Sequence, residues 1–266
     1  MFFCILRRMP QSLITFRIFF IAFFSALVIV VVKYGFHLLG WEPIEQSSLH
    51  NGVLSSATFV IGFLLSATIA DYKESERIPA EFAANVEDMY TDAEAIHQSY
   101  PKFNLEGFRA QLQKIAHKFD REVRNASRGM SEKILALSPY FAEMEKAGVP
   151  ANFIVKLKQQ QLLLLKYRKR VTYIQRIKFI PSANILSQTI VFFVIGLLIL
   201  TNVDPFYGSL AIIGIISFIL IYMMVLIGVI GTPFHAAGKT RDDVSMFLVE
   251  SAAAFLESKK QKQPKK

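Results

Sequence analysis

Four stretches of this chain are long, apolar and free of central charge. They are residues 18–39 (IFFIAFFSALVIVVVKYGFHLL), 53–70, 185–201 (ILSQTIVFFVIGLLILT) and 207–230 (YGSLAIIGIISFILIYMMVLIGVI). Each is close to the roughly 18 to 25 residues that a helix needs to cross a bilayer. No other feature restricts the possible folds as strongly. A backbone in hydrocarbon must satisfy its own hydrogen bonds, so such segments fold as helices. Lys33 lies near the end of the first stretch, where its long stem lets the ammonium snorkel to the interface.

Composition agrees. Hydrophobic residues make up 53% of the 266, and 24 are Phe, yet charged residues still reach 19%. Apolar and charged residues must therefore be segregated along the chain, as in a membrane protein with an aqueous part. The net charge of +9 fits cytoplasmic loops that set membrane topology. No zinc-ligand set, RNP-like aromatic motif or basic coiled region accompanies it, so no nucleic-acid partner is expected. The single cysteine, Cys4, allows no internal disulfide and no cysteine-based metal cluster. The N-terminal arginines Arg7, Arg8 and Arg17 precede an apolar run too long for a signal peptide, and the run reads as a retained membrane helix.

The short connections orient the chain. Residues 40–52 hold Glu42 and Glu45 but no Lys or Arg, and 202–206 hold only Asp204. The N-terminal segment carries three Arg, and the C-terminus ends KKQKQPKK. By the positive-inside rule both termini and the insert between the second and third spans face the cytoplasm of an inner or plasma membrane. The expectation is an all-α membrane protein with four transmembrane helices in two hairpins, and a large helical cytoplasmic insert between the second and third. The parts are 1–70 (N-terminal segment and first hairpin), 71–183 (cytoplasmic helical domain), 184–231 (second hairpin) and 232–266 (basic cytoplasmic tail).

The insert shows helical periodicity over Asp71–Tyr100, through Ile78, Phe82, Val86, Met89, Ala93 and Ile96. It repeats over Asn104–Val123 through Leu105, Phe108, Leu112, Ile115 and Phe119, and two further helices are expected over Ser131–Lys146 and Asn152–Phe179. No strand alternation stands out. Residues 71–101 carry eight acids and two bases, whereas 102–183 carry 17 bases and six acids. The two parts either pack together or face water, or they form an electrostatic vestibule for a small ion.

The second span, ATFVIGFLLSATIADYKESERIP, runs into charged sequence with no turn residue, which predicts one helix that leaves the membrane and continues, with a kink at Pro79. Ser55, Phe59 and Phe63 follow at intervals of four and so share a face. Gly62 and Ser66 are small enough for close helix packing. A Phe stripe at this spacing is packing in most helices. In a ring of identical subunits it would instead form a hydrophobic constriction, and ring edges, which carry partial positive charge, tolerate an anion better than aliphatic carbons do.

Catalytic signatures are missing: the sequence holds no G-x-S-x-G, no P-loop and no dinucleotide fingerprint. None of His37, His50, His97, His117 and His235 pairs with another at helical metal spacing. An enzyme is not expected. A secondary transporter is a weaker option, because no span carries a charge near its centre.

FVIGFLLS (59–66) resembles the second membrane helix of the bestrophin family, whose pattern there is close to F-V-L-G-F. FIPSAN (179–184) is similar to that family's proline-containing approach to the third membrane helix. GTPFHAAGKTRDD (231–243) is similar to its N-P-F motif followed by acids. The order of parts agrees as well. The resemblance implies a pentameric anion channel with its pore on the fivefold axis, chloride or a similar permeant anion, and no cofactor. It also implies a neck at Phe59 and Phe63 with Ser55 one turn earlier, where the family is usually bulkier. Asp242 and Asp243 are weak calcium candidates only, since Lys239 and Arg241 adjoin them and calcium takes about six to eight oxygens. The family's tryptophan pair after this helix is absent; DYKESERIP stands there, and the chain's one Trp is Trp41. A more distant bestrophin-like group fits the same residues. The alternative function is a membrane-anchored helical scaffold or regulator that does not transport, with KYRKRVTYIQRIK (166–178) contacting lipid or a partner. Besides the bilayer, the expected partner is the chain itself.

Overall fold

The computed structural model describes residues 16–125, 129–176, 181–234 and 244–261. The expected apolar spans are all helical. Helix α1 is Arg17–Leu38, α2 is Ser48–Ser99, α7 is Pro181–Leu200 and α8 is Phe206–Ile230. All four are long and apolar enough to cross a membrane. The intervening helices are α3 (Leu105–Asn125), α4 (Met130–Leu135), α5 (Ser138–Lys146) and α6 (Ala151–Arg176), and α9 (Phe247–Gln261) follows the last span. Two short strands, β1 (Ile44–Glu45) and β2 (Thr201–Asn202), pair in parallel, Ile44 opposite Thr201. No strand was expected. A two-residue ladder is too short to show alternation in sequence, and it forms because the two connections lie side by side.

Among the described residues, 16–72 and 181–233 form one compact unit, and 73–125, 129–176, 234 and 244–261 form another. In the first unit α1 packs most extensively along α8 rather than along α2. Ala22, Ala57, Ile61, Val191, Val194 and Leu220 form its buried centre. Gly214 on α8 permits the close approach: a Cβ there would sit 3.0 Å from Val30 on α1.

Helix α2 is continuous for 52 residues, about 78 Å at the α-helical rise. Pro79 lies inside it and has no N–H to donate to the preceding turn. Only the segment from Lys73 belongs to the second unit. There Ile78, Phe82, Val86, Met89, Ala93 and Ile96 are all buried, as the period predicts, and so are Leu105, Phe108, Leu112, Ile115 and Phe119. Phe82 stacks on Phe119 at 3.9 Å between ring centres. Asn104 caps α3, its Oδ1 accepting from the Gly107 N–H at 2.7 Å. Gly107 leaves room for that cap, since a Cβ there would meet Asn104 Nδ2 at 2.6 Å.

Two expectations need correction. Ser131–Lys146 is not one helix. It breaks between α4 and α5, and Pro139 falls in the first turn of α5, where its missing N–H costs no helical bond. The tail, expected only as a basic segment, contains α9. Its Val249, Ala252, Ala253 and Leu256 are buried, and α9 packs on α3. Arg109 Nη1 donates to the Leu256 carbonyl at 2.8 Å while its Nη2 pairs with Glu106 at 2.6 Å.

Candidate functional site

The face of α2 that carries the Phe stripe points away from the rest of its own unit. Ala57 and Ile61 are buried against α7 and α8. On the opposite side Phe59 is 74% exposed and Phe63 is 68% exposed. Ser55, Ser56 and Ser66 are exposed with them, and a Cβ at Gly62 would meet nothing within 4 Å. Neither ring stacks on another among the described residues. The hydroxyls differ between faces. Thr58 and Thr68 donate back to Leu54 O (2.9 Å) and Leu64 O (2.8 Å), whereas Ser55, Ser56 and Ser66 make no side-chain hydrogen bond among the described residues. Exposed Phe is unremarkable in lipid, but a stripe that alternates phenyl rings with unengaged hydroxyls suits water or a second protein surface better than hydrocarbon.

The end of the same unit that holds β1 and β2 contains a cluster built around Lys33. Its side chain is 1% exposed, so it does not reach water as the sequence suggested. Instead Nζ pairs with Glu42 Oε1 at 2.7 Å and donates to Ile199 O at 3.1 Å and to Thr201 O. An ammonium at these carbonyls satisfies groups that every helix C-terminus leaves free, and it complements the negative end of the helix dipole. Glu42 Oε2 also contacts His37 Nδ1 at 3.0 Å, and the His37 ring stacks on Phe206 at 3.6 Å. Burial raises the Glu42 pKa, but the hydrogen bonds from His37 and Lys33 outweigh it and hold the carboxyl below its ordinary value. Sequence reasoning missed this cluster. Lys33 and Glu42 are nine residues apart, but the carbonyls that accept from Lys33 lie more than 160 residues from it.

In the second unit the acidic and basic halves of the insert engage each other. Lys156 pairs with Asp92 at 2.7 Å and Arg170 with Glu74 at 2.7 Å. Arg168 pairs with the buried Glu122 at 2.9 Å. Lys259 of α9 reaches Glu94 at 2.8 Å. Tyr90 donates to the same Glu94; burial, then that carboxylate, pushes its phenol up to about 12. Part of the basic run from Lys166 is therefore spent on internal pairs. Its remaining described lysines, Lys166 and Lys169, line an open cleft of about 710 Å³ with Arg77 and Tyr173.

Among the described residues no three His, Cys, Asp or Glu side chains come together as a metal site. Asp242 and Asp243, the weak calcium candidates, lie outside the described residues.

No family model and no curated protein sequence matches this chain. Solved structures do. A bacterial bestrophin homologue from Klebsiella pneumoniae superposes with a TM-score of 0.74 at 12% identity, over 92% of this chain and 98% of that one. A variant of that homologue gives 0.74 at 13%, over 94% and 100%. A structure described as a membrane protein gives 0.76 at 13%, over 88% and 97%. The chain has a mostly helical, bestrophin-like fold, and its four long apolar helices mark it as an integral membrane protein.

Proposed function

We propose that this protein is an oligomeric, bestrophin-like anion channel whose narrowest apolar passage is built from α2. One observation carries the reading: Phe59 and Phe63 stand 74% and 68% exposed on a face whose serine hydroxyls have no partner among the described residues. Copies of α2 around a shared axis would turn those rings inward, with Ser55 one turn before them, and Gly62 and Ser66 would admit the neighbouring helices. Five copies, as the sequence resemblance implies, form the ring. Chloride would pass the ring edges without a fixed cation, and a short hydrophobic neck of this kind gates by wetting and dewetting. Such a channel needs no cofactor and no catalytic group. Both termini and the insert lie on the cytoplasmic side in this reading.

The test is chloride efflux from liposomes reconstituted with the full chain. Wild type should pass more chloride than empty vesicles. Phe59→Ala and Phe63→Ala should raise the flux severalfold by widening the neck. Silence from all three proteins would refute transport and leave the scaffold reading, to which Lys166 and Lys169 in their open cleft lend support.

A further inference from the structure

We propose a binding site for a phosphate monoester in the open cleft between α2 and α6. The cleft has a volume of about 710 Å³, within the range of small-molecule sites. Two helix faces form it. Glu74, Arg77 and Glu81 follow one another at three- and four-residue intervals on α2, and Lys166, Lys169 and Arg170 share a face of α6. Glu74 pairs with Arg170 at 2.7 Å and joins the two faces.

Charge gives the site its chemistry. The four bases of the lining face two acids, so the cleft carries a net charge of +2. Both acids are already engaged, Glu74 by Arg170 and Glu81 by Arg77 at 2.9 Å. Lys166 and Lys169 take part in no ion pair among the described residues, and both are exposed, so a ligand can reach them. Like charges held in one cleft repel each other, and a dianion relieves that repulsion. A phosphate monoester carries about −1.5 to −2 charges at neutral pH and three strong acceptor oxygens, which matches the excess. Chloride and phosphate diesters bring a single charge. Arg170, steadied by Glu74 and by the Tyr173 ring whose centre lies 5.7 Å from its guanidinium, adds a fixed positive charge beside the two lysines. Two sources present such a group: a lipid with a monoester head, such as phosphatidate, and a soluble ester. Helix α2 is unbroken from its apolar stretch onward, so Glu74 and Arg77 lie about 6 and 10 Å beyond Ala70 along its axis, within reach of lipid headgroups. The site does not depend on conduction, and its test reads binding rather than flux.

In one arm the full chain in neutral detergent is titrated calorimetrically with glycerol 3-phosphate at constant ionic strength. Binding should saturate, and dimethyl phosphate, a diester of one charge, should bind far more weakly. Lys166→Met combined with Lys169→Met should lower the affinity roughly tenfold or more, the scale of one charge-assisted hydrogen bond. Lys158→Met, at an exposed lysine of the same helix outside the cleft, should leave it unchanged. All three lysines are exposed, so these changes leave the fold intact. In the other arm the chain is placed in phosphatidylcholine nanodiscs containing small, equal fractions of phosphatidate and phosphatidylglycerol, and the lipid it retains is identified by native mass spectrometry. Phosphatidate retained over phosphatidylglycerol, and lost in the double variant, assigns the site to a lipid. A response to glycerol 3-phosphate without such retention assigns it to a soluble ester, and either result supports the site. Silence in the titration together with no preference between the two lipids would overturn it. Binding that dimethyl phosphate matches, or that Lys158→Met weakens as much as the double variant does, would overturn it too.

Discussion

Lys33 carries the clearest energetic consequence at the scale of a single residue. Its ammonium is buried and held by Glu42 and two carbonyls. Removing one partner of a buried pair leaves the other charge uncompensated, which costs about 3–5 kcal/mol. Lys33→Met should therefore lower stability by roughly that amount, read as thermal unfolding in detergent. Glu42→Gln should cost less, because the carbonyls still receive the ammonium. The double variant should lose less than the sum of the two, since each single change strands the other's partner. The pair also sets a pH dependence. The Glu42 carboxyl is held below its ordinary value of 4.5. Its contribution is thus fully present above that value and fades as pH falls through the lower folded one. Wild type should lose stability on acidification through this window more steeply than Glu42→Gln, as thermal scans across a pH series would show. The sequence placed Lys33 at a membrane edge but could not show that it bonds there to protein rather than to water. Its carbonyl acceptors belong to main chain far along the sequence, and backbone groups leave no mark in residue identity.

The long helices were legible because hydrocarbon admits no alternative and because a 3.6-residue period repeated many times is hard to mistake. The junction at Asp71 was legible for the same reason: no breaker stands between Ala70 and Lys73. The shorter elements were not. The split between α4 and α5 turns on the single Pro139, and β1 with β2 depends on two loops meeting. Helix α9 was hidden by its terminal lysines, although Val249, Ala252, Ala253 and Leu256 follow helical spacing and lie against α3. Its docking is strong enough to test. Leu256 is fully buried, and Leu→Ala at such a site costs about 2–5 kcal/mol. Leu256→Ala should release α9 locally, so that amides of 247–261 exchange with deuterium much faster while those of the buried α2 stretch Phe82–Ala93 stay protected. Lys259→Met should give a smaller change, because its pairing with Glu94 is partly exposed and such pairs contribute about 1 kcal/mol or less.

For the whole molecule, the outward face of α2 is what one chain leaves unexplained. The stripe of Ser55, Phe59 and Phe63 was visible in the sequence as a shared face, but under the proposed ring the reason for that face would come from other copies of the chain. A ring reading makes a geometric demand that lipid exposure does not. Side chains at position 59 of different subunits would lie near one axis, within reach of the roughly 4–7 Å Cα separation that a disulfide spans. The chain's single cysteine, Cys4, makes the background simple. In Cys4→Ser protein, Phe59→Cys and Phe63→Cys should form covalent dimers rapidly under mild oxidation in membranes. Ala57→Cys, two residues away but buried against α7 and α8, should not. Because a ring pairs its members two at a time, an odd number of subunits must leave one thiol free. A pentamer would cross-link to at most four-fifths of its chains, and the remainder would still react with maleimide. Complete cross-linking would instead indicate an even ring or a simple dimer, and no cross-linking at either position would place this face toward lipid.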